Sequence, residues 1–357
     1  MARRGKRVFD EALLARLCEA DGVSGHEDVV ADILQSELEA LADDIHTDPM
    51  KNLVATRRGR KGSRISVMLA GHMDEIGFLV YNVDEDGFVS LAPVGGWQAE
   101  SIVGHPVRIH CRSGRTVEGV VHRRSAWLPE HRSKELRLDE IYVDLGLPGS
   151  RVGKLVSRGD WVSMASGFRA LGDCYLAKAF DDRVGVFIIA EAFRRYVNPS
   201  ITVHAVGTSQ EEVGLRGAAS AAQELKPTIG VAVDITGAGD TPGHPARLRT
   251  ATLGKGVAIK IMDSSVISSP GLVEFMRDTA ESKGIDHQLE VLLRGGTDTA
   301  AIQRWGSSPH VVCLSIPTRY GHSPSAVIHR HDVETAIELL VAFLERAHEW
   351  AGAGKKP

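Results

Sequence analysis

The sequence predicts an α/β protein in which a mostly parallel sheet is flanked by helices and a small β-barrel is inserted. Two observations predict the sheet: helical and apolar strand-like segments alternate from about residue 166 onward, and residues 66–70 form a continuous apolar run. Alternation of this kind is typical of a parallel sheet covered by helices, and the run is typical of a strand buried on both faces. Several short β-type runs between 76 and 165 predict the barrel.

The N-terminal segment is predicted to contain two helices followed by two strands. Apolar residues recur at helical spacing from Phe9 to Leu17, and a second amphipathic stretch runs from Glu27 to Leu41. Residues 52–56 and 66–70 then have the composition of strands.

The middle of the chain has a different texture. Between about 76 and 165, short β-type runs are separated by Gly, Asp and Ser turns, with no convincing helix among them. We therefore predict an inserted β-barrel domain at 76–165 and a larger α/β domain made of 1–75 and 166–357. In the second part of that domain, the predicted helices are 182–196, 213–225, 270–283 and 332–350, and the predicted strands are 201–207, 229–234, 257–261, 289–293 and 310–316.

Composition excludes several classes of protein. The 357 residues exceed the usual size of one domain, and the net charge of −4 argues against a nucleic-acid surface. No stretch approaches the ~18 apolar residues of a membrane span, and no signal peptide follows the basic start. The four cysteines form no CxxC pair and are interpreted as buried reduced thiols. We therefore expect a cytoplasmic protein without a nucleic-acid or membrane partner.

Acids and histidines follow the predicted strands at the edge where open α/β sheets bind ligands. These residues are His72 and Asp74, the pair Glu211–Glu212, Asp234 and His322, together with Asp181–Asp182 before an apolar helix. Each has an ordinary structural explanation when taken alone. The acids could cap turns or helices, and either histidine could be a hydrogen-bonded residue at a strand end.

The combination is harder to explain structurally. Several carboxylates in one cleft repel one another unless a cation compensates them, and few Lys or Arg residues stand beside these positions. Mixed His, Asp and Glu ligands without Cys suit zinc, cobalt or manganese. If five of these residues bind metal, they are too many for one tetrahedral ion. Two ions about 3.5–4 Å apart that share one carboxylate are therefore expected.

Several ordered motifs resemble those of the M42 metallo-aminopeptidases, also called tetrahedral (TET), glutamyl or deblocking aminopeptidases and sometimes labelled endoglucanases. They are GHMDEIG (71–77), KAFDDRVG (178–185), SQEEVGLRGA (209–218), DTPG (240–243), GGTDTA (295–300) and PTRYGHSP (317–324), with DGVSGHED (21–28) and DPMKNL (48–53) before them. The resemblance covers nearly the whole chain and implies a zinc-peptidase type of α/β fold, described as phosphorylase/hydrolase-like.

The resemblance also implies a role for each site residue. Asp181 would bridge two divalent ions, with zinc as the first expectation and cobalt or manganese as alternatives. The Asp181–Asp182 peptide is expected to be cis. The remaining ligands would be His72 and Asp234 at one ion, and Glu212 and His322 at the other. Glu211 would be the general base that activates a water molecule bridging the ions, and Asp74 would hold the ring of His72.

Further expectations concern substrates, assembly and two departures from the family pattern. The resemblance implies hydrolysis of N-terminal residues from short peptides, and a homo-oligomer between a dimer and a dodecamer, assembled through the barrel. Gly321 stands where the family pattern has a bulkier apolar residue. The smaller glycine should open the pocket. Residues 122–132 also depart from the family pattern, which leaves the oligomeric state open.

Two other functions stay open at this point. The first is a related two-metal amidohydrolase that acts on an N-acyl amino acid or a specialised dipeptide. The second is a glycoside hydrolase, which would use two carboxylates without metal. That reading leaves the histidines unexplained, and only 5% of the residues are aromatic.

Overall fold

The computed structural model describes residues 9–61, 63, 65–124, 135–305 and 309–353, apart from the side chains of 351–353. Within these residues the α-helices are α1 (Glu11–Glu19), α2 (Asp28–Leu38), α3 (Gly149–Leu155), α4 (Phe180–Arg195), α5 (Arg216–Leu225), α6 (Pro270–Lys283), α7 (Asp298–Trp305) and α8 (Arg330–Ala353). The strands are β1 (Asp44–Thr47), β2 (Leu53–Arg57), β3 (Ser66–His72), β4 (Gly77–Val83), β5 (Val89–Val94), β6 (Pro106–His110), β7 (Thr116–Arg123), β8 (Ile141–Asp144), β9 (Trp161–Met164), β10 (Arg169–Leu171), β11 (Cys174–Ala177), β12 (Thr202–Thr208), β13 (Ile229–Gly237), β14 (Val257–Met262), β15 (His287–Val291), β16 (His310–Arg319) and β17 (Ala326–His329).

The larger sheet is parallel at its centre. Strands β12, β3, β13 and β16 lie side by side in parallel. Around them the pairing is largely antiparallel, and the pairs β1–β2, β10–β11 and β16–β17 join strands that are consecutive in the chain. The predicted α/β fold is confirmed, with a mixed sheet whose parallel strands are those that carry the candidate site.

Strand β3 is buried on both faces, as its apolar run predicts. Val67 and Leu69 belong to a core shared with α1, α2, α4, α6 and α8. Met68 and Ala70 point the other way, into a second core formed with α5 and α7. This period of two follows from the alternation of side chains along a strand, and it places helices on both sides of the sheet.

The inserted part contains a closed barrel with the strand order β4-β5-β8-β7-β6-β9. Its core is apolar and includes Phe78, Ile109 and Val162. The prediction that this part lacks a helix is wrong, because α3 packs Val152 into the barrel core. Gly149 and Gly153 weaken the helical signal of this seven-residue segment. Most of the divergent segment 122–132 lies outside the described residues, and the domain division at 76 and 165 stays a prediction.

A glycine contact brings α4 against the end of β3. A Cβ at Gly71 would lie 2.7 Å from the backbone nitrogen of Val186 and 2.8 Å from the carbonyl carbon of Gly185. Real side chains do not tolerate such distances, so the two elements approach this closely only because Gly71 has no side chain. The contact places the first turn of α4 beside His72, the last residue of β3.

Buried cations tie the same region to the N-terminal segment. The Arg183 guanidinium donates hydrogen bonds to the carbonyl groups of Met73, Leu17, Ala20 and Gly22 at 2.6–3.2 Å. One residue of the same motif, Lys178, is also buried, with its Nζ 2.6 Å from Glu75 Oε1 and 3.0 Å from Asp21 Oδ1. These contacts join β3, the start of α4 and the segment after α1.

We predict that Arg183→Met lowers the free energy of unfolding by about 3–5 kcal/mol, because several buried carbonyl groups lose their hydrogen-bond partner. Chemical denaturation followed by circular dichroism measures this change. Arg16→Met is the matched control: Arg16 is exposed and pairs with Glu37 at 3.3 Å, a contact worth about 0–1 kcal/mol. Equal losses in the two variants would contradict the role given to Arg183.

Two further observations concern the whole described chain. All four cysteines are free, and three of them are buried, which agrees with the interpretation as reduced thiols. None of the described helices has both the length and the apolar character that a bilayer crossing requires.

Candidate metal centre

The predicted site residues converge at the carboxyl ends of the parallel strands. His72 ends β3, Asp234 lies in β13, and Asp181 lies in the first turn of α4. The pair Glu211–Glu212 follows β12, and His322 follows β16. Because four parallel strands end at one edge of the sheet, residues distant in sequence meet there.

Asp181 lies between the two histidine rings. Its Oδ1 is 3.0 Å from Nε2 of His72, and its Oδ2 is 3.1 Å from Nε2 of His322. The Asp181–Asp182 peptide bond is cis, as the resemblance implied. The Asp182 carboxylate points elsewhere and accepts hydrogen bonds from the backbone N–H groups of His72 and Gly185. Only the first acid of the pair therefore faces the histidines.

Both histidine rings are oriented through their Nδ1 atoms. Nδ1 of His72 lies 3.0 Å from the main-chain carbonyl oxygen of Asp74 and 3.4 Å from its carboxylate Oδ1. The carbonyl is the closer partner and has the geometry of a hydrogen bond. Nδ1 of His322 lies 2.8 Å from the carbonyl oxygen of Gly96, in the loop after β5. A carbonyl only accepts, so each Nδ1 carries the proton and each Nε2 is directed at Asp181.

The Asp74 carboxylate has a task that the sequence did not indicate. Its Oδ1 accepts the backbone N–H of Glu211 at 2.9 Å, and its Oδ2 accepts that of Glu212 at 3.2 Å. The hydroxyl of Ser24 donates to Oδ2 at 2.6 Å. Hydrogen bonds and the nearby His72 lower the pKa of this carboxyl group in spite of its burial.

The ligand atoms form two overlapping groups. Those of His72, Asp181 and Glu212 lie within 4.8 Å of one another, as do those of His72, Glu211 and Asp234. His322 adjoins the first group, with Nε2 3.5 Å from Glu212 Oε1. Glu211 Oε2 lies 3.8 Å from Nε2 of His72. The second group therefore contains Glu211, for which the resemblance implied a role as base rather than as ligand.

Electrostatics in the cluster is unfavourable for so many anions. Burial and the negative charge of Asp181 raise the pKa of Glu212 to about 8 and that of Asp234 to about 7. Burial, together with Asp234 and other nearby acids, raises the pKa of Glu211 well above its usual value. A proton on these groups is the alternative to a bound cation.

The pKa values of the two histidines are raised as well, and for an imidazole this favours the charged form. The hydrogen bond that the His322 ring donates to Asp181 raises the pKa of His322 to about 10. Burial opposes the charging of His72, but Glu211 and Asp181 still raise its pKa well above 6.5. Within the described part of the chain, Glu212 Oε1 is buried and has no hydrogen-bond partner. A carboxylate oxygen of this kind, beside two imidazole nitrogens, fits a divalent cation.

A cavity of about 730 Å³ opens over the cluster. Its other walls include Gln98 from the loop after β5, Arg294, Tyr320 and Gly321. A Cβ at Gly321 would lie 3.0 Å from Ile235 Cδ1. A larger side chain at 321 would therefore have to displace the end of the Ile235 side chain. That Gly321 opens the pocket stays a prediction.

Two contributors near the site were missed. Gly96 offers only a backbone carbonyl, which leaves no trace in a residue pattern. Asp298 is buried near the cluster, with Oδ2 2.5 Å from Thr208 Oγ1, and its Oδ1 has no hydrogen-bond partner among the described residues. Its pKa is raised to about 6 by burial. The motif GGTDTA was a signal for this residue, but it carried no assigned role.

Comparison with known proteins gives a consistent result. The family described as M42 glutamyl aminopeptidase matches residues 51–339. The lysyl aminopeptidase of Pyrococcus furiosus is 32% identical over 95% of this chain and 97% of its own length. The solved aminopeptidase APDkam598 of Desulfurococcus kamchatkensis is 34% identical, covers 97% of both chains and has a TM-score of 0.92. The TET1 peptidase of Pyrococcus horikoshii, which can assemble into a tetrahedron or a large octahedral shell, is 28% identical over 93% of this chain and 98% of its own, with a TM-score of 0.83.

Proposed function

Because this chain belongs to the M42 glutamyl aminopeptidase family and is therefore a hydrolase of peptide bonds, we propose that it removes amino-terminal residues from short peptides with two divalent cations. One observation carries the proposal: the two oxygens of Asp181 face Nε2 of His72 and Nε2 of His322 at 3.0 and 3.1 Å. A carboxylate placed between two histidines is suited to bridge two ions.

The proposed ligands divide into two sets that share Asp181. His72 and Asp234 complete one set, and Glu212 and His322 complete the other. The first set accords with the proximity of His72 and Asp234 and the second with the proximity of His322 and Glu212. Zinc is the ion we propose first, with cobalt and manganese as alternatives that accept the same nitrogen and oxygen ligands.

When bound, divalent cations would polarise the scissile carbonyl and lower the pKa of an attacking water molecule. The chain itself supplies the proton transfers. Glu211 is buried beside His72, and we assign it the role of general base: its carboxylate takes a proton from the attacking water and later passes it to the departing amine. One peptide bond breaks, and the water molecule supplies one oxygen of the new carboxylate and, through Glu211, a proton of the departing amine.

The cluster also accounts for a preference for free amino termini. A protonated amino group of the substrate would lie favourably against the carboxylates of this cavity, whereas an N-acyl group carries no positive charge. The related amidohydrolase that acts on N-acyl substrates is therefore not favoured, and the relatives named above are aminopeptidases. The same family membership argues against the glycoside hydrolase.

Assembly and location are part of the proposal. The TET1 peptidase of Pyrococcus horikoshii assembles into large shells, and we propose that this chain is a homo-oligomer, between a dimer and a dodecamer, with the barrel as the contacting part. We also propose that it acts in the cytoplasm, since its cysteines are free thiols.

Metal removal tests the proposal. We expect purified protein to contain about two divalent ions per chain, and we expect chelation to abolish hydrolysis of aminoacyl-p-nitroanilides until zinc, cobalt or manganese is added back. N-acetylated versions of the same substrates are the control and should not be cleaved. Turnover of the acetylated substrates alone would support the amidohydrolase instead, and full activity in metal-free protein would refute both.

A further inference from the structure

Two motifs near the N-terminus, 21–28 and 48–53, have no role in the chemistry proposed above. Glu27 of the first and Asn52 of the second are nevertheless buried, with 1% and 0% of their surface exposed. Burying a carboxylate and an amide is costly unless their polar atoms are used.

Both side chains bind the loop that carries Glu211 and Glu212. The N–H of Ser209 donates to Asn52 Oδ1 at 2.9 Å, and the N–H of Gln210 donates to Glu27 Oε1 at 3.1 Å. The next two N–H groups, of Glu211 and Glu212, donate to Asp74 at 2.9 and 3.2 Å. Four consecutive N–H groups are thus bound by three buried side chains, here called the 209–212 clamp.

The clamp residues are themselves held in place. Nδ2 of Asn52 donates to Asp48 Oδ2 at 2.6 Å and to the carbonyl of Gly217 at 2.9 Å, which leaves Oδ1 to face the loop. Oε1 of Glu27 also accepts the N–H of Gly25 at 2.7 Å. Two of these partners, Asp48 and Gly25, belong to the same two motifs as the clamp residues Asn52 and Glu27.

The loop needs such support for two reasons. Gln210 has a φ of 54°, a left-handed conformation that is unfavourable for a residue with a side chain. Glu211 and Glu212 also point into a cluster that already contains Asp181 and Asp234, so like charges push them away. Hydrogen bonds along the backbone oppose both effects without using the side chains that the site needs.

We propose that Glu27 and Asn52 are positioning residues that hold Glu211 and Glu212 in the cluster through the backbone of 209–212. This inference rests on the proposed function, because it gives Glu211 and Glu212 their tasks. Neither Glu27 nor Asn52 touches the reacting atoms; each acts through the N–H group that it binds.

Glu27→Met tests the proposal, since methionine has a similar length but cannot accept these hydrogen bonds. We expect kcat and the affinity for divalent ions each to fall by about 10–100-fold, as for other residues that support metal ligands, while KM stays close to that of the wild type. Glu27→Gln should restore most of both, because its amide oxygen can still accept from Gly25 and Gln210. Affinity is measured by zinc titration against a chromogenic chelator.

Asp32→Ala is the matched control, because Asp32 is an exposed carboxylate on α2, the helix that begins directly after Glu27. It should change neither kcat nor zinc affinity. Ser24→Ala is a milder variant that acts on the loop through Asp74 and should lower kcat by roughly 2–10-fold. If Glu27→Met does not fold, Asn52→Ala provides the test, because it removes the acceptor of the Ser209 N–H. It should lower kcat and zinc affinity, and wild-type values of both would overturn the proposal.

Three results would overturn the proposal: wild-type kcat and zinc affinity in Glu27→Met, equal losses in Glu27→Met and Asp32→Ala, or a Glu27→Gln variant as impaired as Glu27→Met. A fall in melting temperature alone would assign Glu27 a structural role only. The zinc titration separates this proposal from the assigned role of Glu211, because it reports on the position of Glu212 even if Glu211 is not the base.

Discussion

Glu211→Gln is expected to give a folded protein that retains both metal ions and has a kcat lower by about 10²–10⁴-fold. Glutamine has the shape of glutamate but cannot accept a proton from water at neutral pH. The backbone N–H of residue 211 still reaches Asp74 Oδ1, so the loop keeps its position. A general acid–base residue acts mainly in the transition state, so kcat and kcat/KM should fall together.

Metal content decides how this result is interpreted. Glu211 falls in a group of possible ligands with His72 and Asp234, so its carboxylate could serve as a ligand rather than as a base. Loss of one ion from Glu211→Gln, measured by elemental analysis, would favour the ligand role. Activity close to that of the wild type would refute both roles. Glu39→Gln, at an exposed acid that follows α2, provides a control for the substitution itself.

Asp181→Asn should lose the tight binding of at least one cation, and its activity should fall by at least about 10³-fold, because the ions supply several kcal/mol of transition-state stabilisation. Among the described residues, only Asp181 has its two carboxylate oxygens each about 3 Å from a histidine Nε2, Oδ1 from that of His72 and Oδ2 from that of His322. Asparagine keeps the shape of the side chain but has only one oxygen and no charge.

A second measurement separates binding from chemistry. A ligand that binds only the folded state raises the melting temperature with concentration, so zinc should stabilise the wild type and have a smaller effect on Asp181→Asn. Asp240→Asn is the control, because Asp240 pairs with Arg319 at 2.8 Å and lies outside both groups of ligand atoms. An equal thermal response in the wild type and Asp181→Asn would show that Asp181 is not a ligand.

The helices and strands could be predicted where the hydrophobic pattern is long. Helix α6 begins at Pro270 and ends at Lys283, as predicted, because proline favours the first helical turn and Gly284 follows the end. Helix α7 was missed, since its eight residues are too few for a clear period. The antiparallel edges of the sheet were missed as well, because the residues of a strand do not state which neighbour it will pair with.

The candidate site could be predicted because ligands of a metal centre must be particular residue types. His72, Asp181, Glu211, Glu212, Asp234 and His322 all lie in or beside one cluster. Their supporting contacts could not be predicted in the same way. Gly96 contributes a carbonyl oxygen, and Glu27 acts on a backbone N–H that is 183 positions away. A hydrogen bond to a main-chain N–H or carbonyl group places little restriction on the type of the residue that contributes that group.

The sequence alone determined the class of fold and the chemical nature of the candidate site, because these depend on hydrophobic periodicity and on which side chains can bind a cation. The family was indicated by the resemblance of several ordered motifs. Only the tertiary structure decided that Asp181 faces the histidines while Asp182 turns to the backbone, and that Asp74, Glu27 and Asn52 hold the loop of Glu211 and Glu212. These arrangements depend on directions and distances within about 3 Å between segments far apart in the chain, which a linear pattern does not encode.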